Sequence, residues 1–210
     1  MYNIKKAAAP YVSSLKEYDP SDPRSVHWGT RQTQYFRFKV LVDIAPFLND
    51  KDCVVFDYGC GVGDLYEYLR FQGFRGRYVG VDINKAAIDA AKEQFADKTV
   101  EFDSVRSPRD LNRWTYDYCL MSGVFNFDIE GTEAEMKKTL RDVFKQARKG
   151  VAYNGLSTFA KAKDKALFYV DPFKLSAWCM QNITPYVALR HEYRGGNFTL
   201  YLYRDSGVDF

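Results

Sequence analysis

Apolar positions return along this chain in two rhythms. Over residues 33–45, Phe36, Val40, Leu41 and Ile44 recur at helical spacing, and Pro46 stops that helix. Residues 53–57 are apolar at nearly every position, as a strand buried on both faces requires. A regular alternation follows. Helices are predicted over residues 65–71, 85–95, 133–148 and 173–180, with Met136, Leu140, Val143 and Phe144 forming one stripe of the third. Strands are predicted over residues 77–82, 99–103, 116–121 and 151–156, and two more over 186–193 and 198–203. Gly195-Gly196 between the last two has the composition of a hairpin turn. This order predicts a mostly parallel sheet with helices on both faces. The first thirty residues show no such rhythm, and Asp19-Pro20-Ser21-Asp22-Pro23 is a turn-rich break. Residues 1–30 are therefore expected to form an N-terminal arm or lid, and residues 31–210 a single domain.

Composition narrows this little. A chain of 210 residues with 46% hydrophobic and 27% charged residues suits one globular domain and argues against disorder. No apolar run is long enough to span a membrane, and the short Ala7-Ala8-Ala9 stretch is no secretory signal. The four cysteines form no C-x-x-C pair and only two histidines are present, so no metal site is expected. Unpaired cysteines in apolar stretches suggest a reducing, cytoplasmic setting. A net charge of +3 says little about partners. Basic clusters at Lys137–Lys149 and at Lys161, Lys163 and Lys165 keep nucleic-acid contact open, but a solvated face is the favoured reading.

The first strand runs directly into Asp57-Tyr58-Gly59-Cys60-Gly61-Val62-Gly63-Asp64. Glycines between a strand and a helix let backbone approach a ligand closely. Their spacing is G-x-G-x-G. The dinucleotide fingerprint would need a third glycine where Asp64 stands. A carboxylate there repels a pyrophosphate and suits a cation, as does Asp57; Asp64 also suits a helix start. Asp82 ends the second strand, placed to accept from ribose hydroxyls, and Asp103 ends the third, placed for an adenine amino group.

Val54–Gly63, Tyr78-Val79-Gly80-Val81-Asp82, Asp103 and Tyr116–Gly123 together resemble the motifs of the class I S-adenosylmethionine-dependent methyltransferases, over roughly residues 30–204. Trp28–Gln32, Ser122–Asn126 and Leu189–Tyr193 resemble segments of a bacterial and phage group within that family whose substrate is unassigned. The resemblance implies a Rossmann-like α/β fold with a seven-stranded mostly parallel sheet and a C-terminal antiparallel β-hairpin. It implies S-adenosyl-L-methionine as cofactor, with Asp57, Gly59, Cys60, Gly61, Gly63, Asp82, Ile83, Asp103, Ser104, Ser122 and Arg31 in its site.

The acceptor is expected beyond the carboxyl ends of the central strands, near Ser122, Phe125, Asn126, Asn154 and Ser157. Ser122-Gly123-Val124-Phe125 lacks the proline-bearing motif of exocyclic-amine nucleic-acid methyltransferases and the Pro-Cys of cytosine C5 enzymes. A small-molecule acceptor is therefore favoured. The alternatives are a nucleic-acid or nucleotide acceptor, aminocarboxypropyl transfer, and a non-catalytic cofactor-binding regulator. His191, near the end of a predicted strand, is the expected general base, with Asn126 as a second catalytic candidate. A core role for His191 is the competing reading. Trp28, Arg31 and Gln32 are placed to fold over the cofactor.

Overall fold

A computed structural model of the protein describes residues 2–96, 98–105, 108–193 and 196–205. Five strands run parallel: β1 (Val54–Tyr58), β2 (Arg77–Asp82), β3 (Val100–Ser104), β4 (Tyr116–Ser122) and β5 (Ala147–Ser157). A short β6 (Tyr169–Val170) pairs with the end of β5. The chain then closes with β7 (Val187–Arg190) and β8 (Asn197–Tyr203), and β8 runs antiparallel to both β5 and β7. The order is β3-β2-β1-β4-β5-β8-β7, with β6 off this path. The sheet thus has eight strands, not the seven expected. Two residues are too few for alternation to be read in a sequence, which is why β6 escapes prediction. Of the predicted hairpin turn, Gly195 lies outside the described residues.

Strand alternation sends side chains to two cores. Phe56 stacks on Tyr116 at 4.4 Å on one face, beneath α5 (Thr132–Gln146) and α6 (Pro172–Asn182). Val55 and Tyr78 go to the other, beneath α2 (Arg31–Val42), α3 (Asp64–Phe71) and α4 (Lys85–Gln94). Both faces of the sheet are covered, so its carboxyl edge is where a ligand can enter.

The first thirty residues are not irregular. They carry α1 (Ile4–Glu17), capped by the Asn3 side chain, which accepts from the Lys5 and Lys6 N–H groups. Pro10 lies inside this helix and removes one backbone bond, which the sequence suggests would end it. Ile4, Ala7, Tyr11 and Leu15 nevertheless share one helical face, and that face finds a partner. Tertiary contacts of Tyr11 with His27, Phe127 and the Gly123 carbonyl offset the lost bond. A 3-10 turn (Pro23–Val26) follows, closed by His27 at φ +63°.

Candidate functional site

The end of β1 and the loop after it are built by close backbone approach. Gly59 has φ +82°, and a Cβ there would stand 2.7 Å from Val124 Cγ2, so only glycine lets this loop lie against the end of β4. The Gly59 and Cys60 N–H groups donate to the Val81 carbonyl at 2.8 and 3.0 Å, fixing the loop to β2. Gly63 has φ +93° and packs against Phe95 and Phe102, where it lets α3 start close to the sheet.

Two carboxylates, half-buried Asp82 and buried Asp57, face the resulting cleft. Gly61 N–H donates to Asp82 Oδ2 at 2.9 Å and Asn84 N–H to Asp82 Oδ1 at 2.8 Å. Each oxygen keeps lone-pair capacity for a ligand hydroxyl. Burial pushes the Asp82 carboxyl above its ordinary value, and those N–H bonds oppose the rise. Asp57 is 2% exposed. Burial pushes its carboxyl up to about 7, against the hydrogen bond that Tyr78 Oη donates at 2.5 Å. A cation beside Asp57 would relieve that desolvation directly.

The cleft gathers Asp57, Gly59, Cys60, Gly61, Asp82, Ile83, Ser122 and Asn126 of the expected site. Ile83, Ala87, Val105 and Val124 give it an apolar stretch beside Asp82, suited to a flat ring. Asn154, buried under the end of β4, accepts from the Gly123 N–H at 3.2 Å and holds that turn. Cys60 is buried with its thiol pushed well above its usual range, so it is a filler of the loop and not a nucleophile.

Five expected site residues stand elsewhere. Gly63 is enclosed by its aromatic neighbours. Asp103 pairs with Arg113 at 3.0 Å and accepts from the Ser104 N–H, and neither Asp103 nor Ser104 lines the cleft. Val105 takes that place on the wall. Arg31 is turned to Asp64, Gln34 and the Ser21 carbonyl. Gln34 Nε2 donates to the other Asp64 oxygen at 2.7 Å, so Asp64 is neutralised from α2 and is not left bare for a ligand cation. His191 lies just past β7, its Nε2 2.8 Å from Ser157 Oγ and its ring beside Phe159 and Phe173. His191 is not among the residues that line the cleft, so no cleft contact accompanies the general-base expectation for it.

An arm or lid is expected of residues 1–30, but not its helix or the residues with which it lines the cleft. Ile4, Ala7, Tyr11 and Leu15 of α1 line the cleft from above, with Tyr2, Val26 and Trp28 beside them. Tyr11 Oη donates to the Gly123 carbonyl at 2.9 Å, latching α1 to the end of β4. Burial pushes the Tyr11 phenol above its ordinary value, so it remains a donor. His27 Nε2 lies 2.9 Å from Ser14 Oγ, and its ring sits edge-on to Tyr11 and Phe127. The i, i+3, i+7, i+11 spacing from Ile4 to Leu15 was the available signal.

These residues fit the expected cofactor. A Cβ at Gly59 would meet Val124 and push the loop off the end of β4, Asp57 suits a cationic group, and Asp82 with the apolar stretch suits a nucleoside. Among the described residues, no cluster of three or more His, Cys, Asp or Glu side chains forms a metal-ligand set. No described helix is long and apolar enough to cross a membrane.

Comparisons with known proteins agree with this geometry. Residues 56–156 match the family model described as a methyltransferase domain. A provisionally named methyltransferase of Mycobacterium tuberculosis, Rv1506c, is 30% identical over 156 residues, covering 71% of this chain and 92% of that one. Among solved structures, magnesium protoporphyrin IX methyltransferase from Synechocystis with bound S-adenosylhomocysteine superposes with a TM-score of 0.63 at 14% identity, covering 83% of this chain and 85% of that one. A S-adenosylmethionine-dependent methyltransferase from Aquifex aeolicus gives 0.62 at 17% identity over 89% and 98%. Spermidine synthase from Thermotoga maritima gives 0.57 at 13% identity over 84% and 61%. At such identities the structural likenesses speak for the fold.

Proposed function

Because the chain belongs to the class I S-adenosylmethionine-dependent methyltransferases, we propose that it methylates a small molecule held beneath α1. The observation that carries this reading is the roof. Tyr11 and its neighbours on α1 enclose the cleft, and the Tyr11–Gly123 latch closes it where β4 ends. A folded macromolecule would have to displace α1 to reach that point; a small molecule would not.

When bound, S-adenosylmethionine supplies an electrophilic methyl group on a sulfonium sulfur. Asp57 would neutralise cationic charge at the methionine end, and the Gly59–Gly61 backbone would let the ligand lie close to the sheet. Asp82 would accept from the ribose hydroxyls, and Ile83, Ala87, Val105 and Val124 would enclose the adenine. Ser122 and Gly123, held by Asn154, position the end of β4 beside the reacting centre. Such a site works mainly by alignment, since displacement at the methyl carbon is in-line.

The basic surface does not favour a nucleic-acid acceptor. On α5, Lys137 pairs with Glu133, and Lys138 and Lys145 pair with Asp142. Lys149 lies 3.8 Å from Asp50 and Asp117. The helix neutralises much of its own charge.

The test is transfer of tritiated methyl from S-adenosylmethionine into a cell extract, followed by ultrafiltration. Label in the low-mass filtrate supports the reading. Label confined to protein or nucleic acid overturns it.

A further inference from the structure

Two of the cleft's polar side chains that the cofactor assignment does not use stand together. Trp28 and Asn126 both line the cleft and both stand against Gly123. A Cβ on Gly123 would lie 3.4 Å from Trp28 Cζ2 and 3.1 Å from Asn126 Nδ2. Neither the indole N–H nor the side-chain amide has a hydrogen-bond partner among the described residues, and neither is sealed from the cleft. Their placement is nonetheless firm. Trp28 follows the 3-10 turn closed by His27, its backbone N–H donates to the Pro23 carbonyl at 2.9 Å, and its ring packs near Phe38. The Arg37 guanidinium carbon lies 4.4 Å from the centre of the indole. The Asn126 carbonyl accepts from the Phe168 N–H at 2.8 Å, which anchors its backbone. Two side chains that each carry an N–H donor thus meet at Gly123 at the end of β4, and the Arg37 guanidinium lies over the indole of one of them, outside the cleft lining.

The charge and proton inventory around that point is equally specific. The described cleft residues include no histidine or lysine. Tyr11 is a half-buried phenol that donates to a carbonyl, Asp64 is held by Arg31 and Gln34, and Asp57 and Asp82 are engaged on the cofactor side. Glu135 also reaches the cleft, but from the first turn of α5, where Lys138 Nζ lies 3.9 Å from its carboxylate. An ammonium, phenol or thiol acceptor carries a proton at neutral pH that a base must remove. A carboxylate does not, and it is the acceptor that two N–H donors and a nearby guanidinium hold best.

We propose that the acceptor is a small-molecule carboxylate, bound by the Trp28 indole N–H and the Asn126 amide, and that the product is its methyl ester. This rests on the methyl-transfer reading above. A carboxylate oxygen contributes a lone pair to the new O–C bond, the S–C bond breaks, and its electron pair goes to sulfur. S-adenosylhomocysteine leaves neutral at sulfur, the carboxylate charge is lost, and no proton is transferred. Trp28 and Asn126 touch the acceptor and are its binding residues; Arg37 acts behind Trp28 as a positioning residue.

Methyl esters differ from N-, S- and ether O-methyl products in releasing methanol under mild alkali. The experiment labels the low-mass fraction of an extract with tritiated methyl from S-adenosylmethionine, then measures volatile counts after alkaline treatment. Release of most of the label as methanol is expected. Alkali-stable label in the same fraction overturns the carboxylate while leaving small-molecule methyl transfer intact. Label only in macromolecules, or none at all, overturns the underlying reading as well. Trp28→Phe, which keeps the ring and removes the N–H, should raise the apparent KM for the extract acceptor about tenfold or more, the worth of one hydrogen bond to a charged group. Asn126→Asp, which sets a like charge beside the acceptor, should do at least as much. S-adenosylhomocysteine affinity, measured by calorimetry on the same preparations, should change little in both and reports that the variants are folded. An unchanged KM in Trp28→Phe overturns the assignment of that donor. At saturating cofactor, kcat should stay level between about pH 6 and 9, since a carboxylate of ordinary pKa near 4 is already ionised there. A rate that climbs through that range points to a protonated acceptor and overturns the proposal.

Discussion

Asp57→Asn should make the protein without cofactor more stable at neutral pH and a poorer binder of S-adenosylmethionine. The carboxyl is 2% exposed, and burial lifts it from 3.8 to about 7. An acid whose folded value is raised favours the protonated form in the folded state. Its stability contribution is therefore complete below about pH 4 and is lost as pH rises through about 7. The rise corresponds to about 4 kcal/mol of stability forgone at pH 8, taking 1.36 kcal/mol per pH unit. Asparagine keeps the shape and still accepts from Tyr78 Oη, but its amide N–H groups need partners, which returns about 1–3 kcal/mol of that gain. The net is about 1–3 kcal/mol in favour of the variant at pH 8, or several degrees in Tm for a domain of this size. The difference should shrink as pH falls toward 4. Cofactor affinity should move the other way. Losing the carboxylate opposite a cationic ligand group costs about 2–3 kcal/mol, near a hundredfold in Kd. Differential scanning fluorimetry across pH 4–8, paired with calorimetric titration, reads both signs. A variant less stable than the parent at pH 8, or equally stable at every pH, would refute the account of Asp57 as a carboxylate held in readiness for a cation.

Asp82→Ala should weaken S-adenosylhomocysteine binding by about 2–4 kcal/mol in a calorimetric titration, because it removes the ribose partner and frees the Gly61 and Asn84 N–H groups. Tyr11→Phe deletes the latch to Gly123; cofactor dissociation measured by stopped-flow should quicken by about fivefold to tenfold, the worth of one neutral hydrogen bond. His191→Ala should lower Tm through the lost Ser157 contact and ring packing while leaving turnover per folded molecule near normal, and a fall of about a hundredfold or more in turnover would return it to the general-base role.

Much of the fold was legible because its determinants are local. The runs that become β1, β2 and β4 are apolar on both faces, and α5 carries its stripe of Met136, Leu140, Val143 and Phe144 in one uninterrupted element. Asp57, Gly59, Gly61 and Asp82 were legible for the same reason, since a strand end and a tight turn fix each of them within a few residues. Of the roof, the arm was expected but its helix was not. That helix contains Pro10, its apolar face is narrow, and what stabilises it is the cleft beneath, formed by chain far along the sequence. Asp103 and Arg31 fail for a related reason. Each stands at the expected end of an element, but Arg113 and Asp64, which claim them, come from other elements.

His191 shows how far position along a strand can mislead. A residue at the carboxyl end of a strand lies at the correct edge of the sheet, but the edge has two faces. Beyond the regular end of β7 the side chain turned toward Ser157, Phe159 and Phe173 beneath α6. The cleft lining does not include His191; there Trp28 and Asn126 meet at Gly123. Those two residues are nearly a hundred positions apart, and neither is titratable, so a search for catalytic acids and bases passes over both. If the acceptor arrives already ionised, no acid or base is needed, and what such a site requires is donors held still. The Pro23–His27 turn and the Phe168 N–H each hold one. The chemistry of the acceptor is therefore written in unpaired N–H groups, which become visible only when the chain is folded.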